Sequence, residues 1–234
     1  MIAIVGGSGC GKTVLLNHVL GKYRPDQGTI RVVDHDVPTE PLRNLAEING
    51  SELDNIHKHW GVVFQKNALF SGTVYENIAL WLREVRGLDD AAITLIARKN
   101  LKAVSLPDDD DFLQRPHEKL SGGMAKRLAV ARALSMEPIV VYYDEPTTGL
   151  DPSSSAQIHD LIYSTHFELD NRSSVIITHD KDLLSRLHPR IVMLHEGRVL
   201  FDGPFEEFKT SESTVVRPYF DLMPVLQKRN ILDN

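Results

Sequence analysis

The segment Gly6–Thr13 constrains the fold of this chain more than any other, because it fits the pattern G-x-x-x-x-G-K-T. Glycines let such a loop fold closely around phosphate oxygens, with backbone N–H groups pointing inward. In this pattern the lysine ammonium reaches the β- and γ-phosphates and the last hydroxyl binds Mg²⁺. A glycine-rich turn without a ligand is the simpler alternative. The sequence thus predicts a phosphate-binding loop, here called the phosphate loop, made of Gly6, Gly7, Ser8, Gly9, Cys10, Gly11, Lys12 and Thr13.

The residues on either side of the phosphate loop support this interpretation. Met1–Val5 is a continuous apolar run typical of a buried strand, and Val14–Leu20 carries apolar residues at helical spacing. A loop between a strand and a helix receives the positive end of the helix dipole. That position favours a bound anion.

Strands alternate with helices in two parts of the chain, which predicts a mainly parallel α/β sheet. Further strands are predicted at 29–33, 62–64, 139–143, 174–178 and 191–194, and Glu196-Gly197 turns the last of them into a hairpin with 198–201. Residues 67–135 instead carry apolar residues at helical spacing. We therefore predict a core formed by residues 1–66 and 136–209, an inserted helical subdomain at 67–135 and a tail at 210–234.

A second candidate site follows the strand predicted at 139–143, where Asp144 and Glu145 stand at its carboxyl end. Ligands bind at the carboxyl ends of strands in open α/β sheets. Asp144 therefore suits a carboxylate that holds Mg²⁺, and Glu145 suits a base that polarises a water for attack on the γ-phosphate. An acidic pair after a strand is common on protein surfaces, so the pair is specific only together with the phosphate loop.

The composition excludes several classes of protein. Of the 234 residues, 42% are apolar and 25% are charged, which is typical of a globular chain and not of a disordered one. The formal net charge of −6 argues against a nucleic-acid partner. The single cysteine, Cys10, allows no internal disulfide and favours a reducing compartment. His117, His159, His166, His188 and His195 show no metal-ligand spacing with one another.

A third feature is the sequence Leu120-Ser-Gly-Gly-Met124, which precedes a helix predicted at 124–134. Ser121, Gly122 and Gly123 there form a second candidate anion-binding nest at a helix N-terminus. With Gln65, Gly149-Leu150-Asp151 and His179 added in this order, the chain resembles the ATP-binding-cassette (ABC) ATPases from Met1 to about Lys209.

The resemblance implies a P-loop NTPase fold of the ABC-cassette type, with a RecA-like core and an inserted helical subdomain. It implies that ATP and Mg²⁺ bind, the metal being held by Thr13, Gln65 and Asp144. It also implies catalytic roles for Glu145, for Gln65 at the attacking water and for His179 at the γ-phosphate.

The same resemblance implies a head-to-tail homodimer. In the family, the nest at Ser121–Gly123 faces ATP bound to the other subunit, and the aspartate matched by Asp151 crosses the interface. Family members also carry antiparallel strands and an adenine-stacking aromatic residue before the strand that leads into the phosphate loop. This chain starts at Met1, inside that strand, and no residue in it matches the aromatic. Either the amino-terminal strands are missing from a fragment, in which case we expect a form extended upstream to bind ATP more tightly, or adenine is held differently.

Several segments, among them Met124-Ala-Lys-Arg127, narrow the resemblance to the ATPases of Mla/Mce lipid-transport systems. In those systems a cytoplasmic ATPase dimer on the inner face of the cytoplasmic membrane drives a permease that moves phospholipid between membranes. The resemblance therefore implies an integral-membrane permease, an Mce-type substrate-binding protein and an accessory protein as partners. Alternatives are the ATPase of an importer for a small polar solute and a soluble, non-transport ABC protein.

The tail is unusually apolar for a solvated end, with Val215, Val216, Tyr219, Phe220, Leu222 and Met223 close together. Two alternatives follow from this pattern. The tail packs on its own domain, or it docks on a partner subunit or accessory protein and steadies the ATPase dimer.

Overall fold

The computed structural model describes residues 1–37, 39, 42–167 and 172–225. Its strands are β1 (Ile2–Val5), β2 (Arg31–Val33), β3 (Leu42–Asn44), β4 (Trp60–Val63), β5 (Val140–Asp144), β6 (Ser173–Ile177), β7 (Arg190–His195) and β8 (Arg198–Pro204). Its helices are α1 (Lys12–Val19), α2 (Gly50–His57), α3 (Val74–Glu84), α4 (Asp90–Ala103), α5 (Asp110–Leu113), α6 (Gly122–Ser135), α7 (Pro152–Phe167), α8 (Lys181–Leu187), α9 (Phe205–Thr210) and α10 (Val216–Leu222). A single 3₁₀ turn, His117–Lys119, precedes α6.

The central sheet has the strand order β4-β5-β6-β1-β7-β8. All of its neighbouring pairs are parallel except β7 and β8, which form the predicted antiparallel hairpin. Ala3 on β1 lies opposite Ile176 and Ile191 on its two neighbours. The carboxyl ends of β1, β5 and β6 therefore meet at one edge, and the predicted α/β fold with a mainly parallel sheet is confirmed.

Residues between β4 and β5 form the predicted helical insert. Helices α3, α4 and α6 pack against one another around side chains without solvent exposure, namely Ile78, Leu82, Ile93, Ala97, Leu101 and Leu128. The first helix of the insert, α3, is capped by Thr73 in a capping box with Glu76, in which each side chain accepts a hydrogen bond from the backbone N–H of the other residue. One core cluster joins these helices to β5 and α7. The region at 42–60, where the sequence pattern is mixed, holds β3 and α2.

The tail packs on its own domain as far as the structure describes it. Val216, Phe220 and Met223 are buried with Phe205 and Phe208 against β1 and β7. Leu222 points outward and is 84% exposed. The tail positions after 225 lie outside the described residues, so docking of that part stays a prediction. Within the described ranges, no helix combines the length and the apolar character needed to cross a membrane.

Candidate active site

The phosphate loop joins the end of β1 to the start of α1, as predicted. Gly11 precedes the helix with φ 102°, a left-handed conformation that glycine adopts without strain. No side chain caps the first N–H groups of α1, and its first turn holds no acidic residue. By contrast, side-chain oxygens cap α2, α3, α4, α5, α6 and α8. The first turn of α1 therefore keeps its backbone donors available for an anion.

Lys12 bends back over the phosphate loop. Its ammonium nitrogen donates to the carbonyl oxygens of Gly6 at 2.8 Å and Gly7 at 3.1 Å, and lies 3.9 Å from the sulfur of Cys10. The positive charge is thus held at the mouth of the loop, where the uncapped N–H groups of α1 also converge.

Glu145 and His179 meet at the carboxyl edge of the sheet. Their side chains approach to 2.7 Å between Oε2 and Nδ1. Glu145 has φ 46°, and its backbone N–H donates to Ile177 at the end of β6 at 2.8 Å. A glutamate held in the left-handed region carries backbone strain, and such strain is concentrated at functional sites.

Asp144 is the last residue of β5 and is 7% exposed. Burial raises the pKa of its carboxyl, the negative charge of Glu145 raises it further, and the ammonium groups of Lys126 and Lys12 oppose the shift. The negative charge of Asp144 is thus only partly compensated by the protein. A bound cation would supply the missing positive charge.

Gln65 follows β4 and has an exposed side chain. Its backbone carbonyl accepts a hydrogen bond at 2.8 Å from Nζ of Lys126, which also donates to the carbonyl of Phe64 at 3.1 Å. Lys126 is 2% exposed, and burial lowers its pKa to about 8 although the charge of Asp144 opposes the shift. This lysine ties α6 to the segment around Gln65, and no spacing in the sequence predicts that contact.

The nest at Ser121–Gly123 lies with Asp151 in a second group of predicted site residues. The Ser121 hydroxyl oxygen caps α6 by accepting from the N–H of Met124 at 3.3 Å. Asp151 accepts from the backbone N–H of Ser154 at 3.0 Å and from its hydroxyl at 2.6 Å. A Cβ on Gly123 would lie 2.8 Å from that hydroxyl, so α6 and α7 are in close contact here. In the described part of the chain, no hydrogen bond joins this nest to the phosphate loop.

A buried polar group behind the site is absent from the sequence predictions. The carboxylate of Asp180, next to His179, contacts the Thr147 hydroxyl at 2.8 Å and His159 Nε2 at 2.7 Å. Burial raises the pKa of Asp180, but its hydrogen bonds with His159, Leu183 and Thr147 outweigh burial and hold that pKa below its usual value. The group thus links three segments near Glu145 and His179, whereas sequence spacing shows no role for His159.

The predicted metal ligands are compatible with Mg²⁺ by their chemistry. The hydroxyl of Thr13, the carboxylate of Asp144 and the side chain of Gln65 offer oxygen donors, which Mg²⁺ prefers. The raised pKa of Asp144, which Lys126 and Lys12 offset only in part, agrees with this donor set. In the described ranges, no cluster of three or more His, Cys, Asp or Glu side chains forms a separate metal site.

Comparisons with known proteins agree with this geometry. A sequence profile of the family described as "ABC transporter" matches residues 1–148. The protein TRIGALACTOSYLDIACYLGLYCEROL 3, chloroplastic, of Arabidopsis thaliana is 33% identical to this chain in an alignment 234 residues long. The alignment covers 93% of this chain and 64% of that protein. The probable ribonucleotide transport ATP-binding protein mkl of Mycobacterium leprae is 34% identical over 219 residues, covering 93% and 60%. The chain thus spans less than two thirds of the length of these two relatives.

A solved structure shows a similar fold. It is the dimeric, post-hydrolysis structure of the ATP-binding cassette MJ0796 bound to ADP and Pi. That structure superposes with a TM-score of 0.74 at 28% identity, over 88% of this chain and 85% of the other.

Proposed function

Because this chain belongs to the ABC transporter family and carries its ATPase domain, we propose that it is the ATP-hydrolysing subunit of a transporter that moves phospholipid between membranes. The observation that carries the catalytic part is the pairing of Glu145 with His179 at 2.7 Å, directly after Asp144. This pair lies at the sheet edge where the phosphate loop also begins.

The phosphate loop binds the triphosphate through the uncapped N–H groups of α1 and through Lys12. Lys12 already lies at the mouth of the loop, so it meets the phosphate oxygens without a large side-chain rearrangement. Positioned cations and backbone donors stabilise the charge that develops during phosphoryl transfer.

Glu145 acts as the base that takes a proton from the attacking water. Its carboxylate oxygen Oε2 lies 2.7 Å from Nδ1 of His179. His179 is 44% exposed on its side chain, so it can turn from Glu145 towards a γ-phosphate and leave the carboxylate free to bind the water. Gln65 completes the set from the β4 side and positions the water.

Thr13, Asp144 and Gln65 would hold Mg²⁺. The metal would supply positive charge to the β- and γ-phosphate oxygens. Asp144 is placed for this role by β5, and its proximity to Lys12 connects it to the phosphate loop.

Two copies of the chain form a head-to-tail dimer around two ATP molecules. Ser121, Gly122 and Gly123 lie next to the Asp151–Ser154 pair, and among the described residues they form no hydrogen bond with the chain's own phosphate loop, which supports their action on ATP bound by a second subunit. The dimeric form of the MJ0796 cassette supports the same arrangement.

Two observations favour phospholipid as the cargo. The run Met124-Ala-Lys-Arg127, taken together with the segments Tyr143–Pro152, Met193–Arg198, Glu206–Phe208 and Val216-Arg217, resembles the ATPases of Mla/Mce systems. The plant relative is named after trigalactosyldiacylglycerol, which shares the diacylglycerol part of a phospholipid but has sugars in place of the phosphate, so its name supports a lipid cargo in general. The partners we propose are an integral-membrane permease, an Mce-type substrate-binding protein and an accessory protein, with the ATPase dimer bound at the cytoplasmic face of the membrane.

A small polar solute is the second candidate cargo. The mycobacterial relative, of similar identity, is named as a ribonucleotide transport protein. The chemistry at Glu145 would be the same in both cases, because cargo is selected by the permease.

The test is transport by the complete native complex, isolated from its source by a tag on this chain and reconstituted into vesicles. We expect ATP-dependent transfer of a fluorescent phospholipid to acceptor vesicles, and its loss in the complex carrying Glu145→Gln. General-base catalysis contributes roughly 10²- to 10⁴-fold, so phosphate release should fall by about that factor while ATP binding is retained.

A control for folding is provided by ATP binding in the same variant, since Gln keeps the shape of Glu145. Turnover within a few-fold of the parent would contradict the role of Glu145. ATP-driven uptake of a ribonucleotide without lipid transfer would contradict the phospholipid proposal and favour the second cargo.

A further inference from the structure

The tail helix α10 makes a direct contact with the phosphate loop, far from it in sequence. The Tyr219 hydroxyl accepts a hydrogen bond from the backbone N–H of Gly6 at 2.9 Å and donates to the carbonyl oxygen of Gly6 at 3.3 Å. Both backbone polar groups of the first loop residue are therefore bonded to one side chain of the tail.

Gly6 is a point where the loop is closely packed against its surroundings. It is buried, with φ 147°. A Cβ there would lie 2.3 Å from the carbonyl oxygen of Leu194 on β7 and 2.7 Å from the sulfur of Cys10. Its carbonyl oxygen is also the closest acceptor of the Lys12 ammonium, at 2.8 Å. Tyr219 thus holds the same carbonyl that orients the lysine.

Helix α10 is itself firmly placed, so the hydroxyl has a defined position. Phe220 packs edge-on against Phe205 and Phe208, with ring centroids 6.2 and 5.8 Å away. Lys181, two residues after His179, donates from Nζ to the carbonyl of Phe220 at 3.0 Å and from its backbone N–H to that of Pro224 at 3.3 Å. The tail therefore bridges the phosphate loop and the segment that carries His179.

We propose that Tyr219 is a positioning residue of the ATP site, which holds Gly6 and thereby fixes the carbonyl that orients Lys12. Tyr219 acts through the loop and touches no reacting atom. Burial raises the pKa of its hydroxyl to about 12, with the hydrogen bond from Gly6 opposing and the charge of Glu145 adding to the shift, so the hydroxyl stays a donor. The inference rests on the proposed binding of ATP at the phosphate loop.

The test is Tyr219→Phe, which removes the hydroxyl and keeps the ring in place. A neutral hydrogen bond changes an equilibrium constant by roughly three- to tenfold. We expect the Kd for Mg-ATP, measured by calorimetry on the folded protein, to rise by about that factor. The KM of ATP hydrolysis by the complete complex should rise by a similar factor, with a smaller change in kcat.

Two controls separate positioning from general loosening of the tail. Tyr163→Phe makes the same chemical change on an exposed part of α7 and should leave the Kd unchanged. Val216→Ala weakens the packing of α10 without touching the hydroxyl, so it should lower the melting temperature and leave the Kd within twofold of the parent.

The outcomes are distinct. An unchanged Kd in Tyr219→Phe overturns the inference while the proposed function stands. An equal loss of affinity in Val216→Ala also overturns it, because the effect then comes from tail packing. Failure of the parent protein to bind Mg-ATP overturns the proposed function and this inference with it.

Discussion

At the scale of single residues, buried charge is concentrated behind the sheet edge that carries Glu145. Lys126 is 2% exposed and Asp144 is 7% exposed. The charge of each shifts the pKa of the other against the effect of burial. Such groups are rarely buried without partners, and here the carbonyls of Phe64 and Gln65 accept two hydrogen bonds from the Lys126 ammonium. Lys126 therefore connects α6 to the segment around Gln65 by hydrogen bonds, in addition to its electrostatic effect on Asp144.

Lys126 leads to a prediction about stability and pH. Its pKa is about 8 in the folded protein, below the value of about 10.4 for an unfolded lysine. The unfolded chain therefore binds more protons between these values, so the stability contributed by this site rises with pH across that window. From pH 7 to 9.5 we expect the unfolding free energy of the parent to rise by ~1–2 kcal/mol relative to Lys126→Met. Chemical denaturation at several pH values measures this.

Lys99→Met is the matched control, since Lys99 is 77% exposed on its side chain. Its difference from the parent should stay constant over the same pH range. A constant difference for Lys126→Met as well would contradict a lowered pKa at this buried lysine.

At the scale of elements, the short helices α9 and α10 close the apolar face formed by β1 and β7. Their aromatic rings contact each other edge-on, as for Phe208 and Phe220 with an interplanar angle of 90°. Edge-to-face aromatic pairs contribute beyond the area they bury. Met193 on β7 lies in the same cluster. Helices α9 and α10 are therefore part of the hydrophobic core of the folded monomer.

Phe220→Ala should destabilise the isolated monomer by roughly 3 kcal/mol, because a buried ring is replaced by a cavity. Denaturant unfolding without nucleotide measures this loss. Leu222 is the last residue of α10 and is 84% exposed, so Leu222→Ala should change the free energy of unfolding by less than ~0.5 kcal/mol. Equal effects of the two substitutions would mean that α10 does not pack as described.

At the scale of the whole molecule, the predicted site residues fall into two groups on one chain. One group contains the phosphate loop, Asp144, Glu145 and His179, and the other contains Ser121–Gly123 with Asp151. A head-to-tail dimer would bring the first group of one subunit to the second group of its partner.

Ser121→Arg should block ATP-dependent dimerisation in the Glu145→Gln background, because it adds bulk and positive charge to the predicted interface. Size-exclusion chromatography with and without Mg-ATP measures the dimer. Ser121→Ala loses the same helix cap, at a cost of ~1 kcal/mol, but adds no bulk, so it should retain more dimer. An unchanged dimer in Ser121→Arg would show that the nest does not face a partner.

Local sequence patterns determined the parallel sheet, the phosphate loop and the acidic pair. These features depend on residues close in sequence. The phosphate loop is predicted from the apolar run before it and the helical spacing after it. Asp144 and Glu145 are predicted from their position at the end of an apolar run. Ile158, Leu161, Ile162 and Thr165 recur at helical spacing in the sequence, and all four are buried on one face of α7.

Only the tertiary structure decided which distant groups meet. Asp180 contacts His159 and Thr147 because α7 and the segment after β6 pack side by side. Tyr219 reaches Gly6, 213 residues away, because α10 lies across the end of β1. The periodicity of apolar residues along a segment predicts which side chains are buried. It does not predict which side chains of separate elements come into contact, because that depends on how the elements pack.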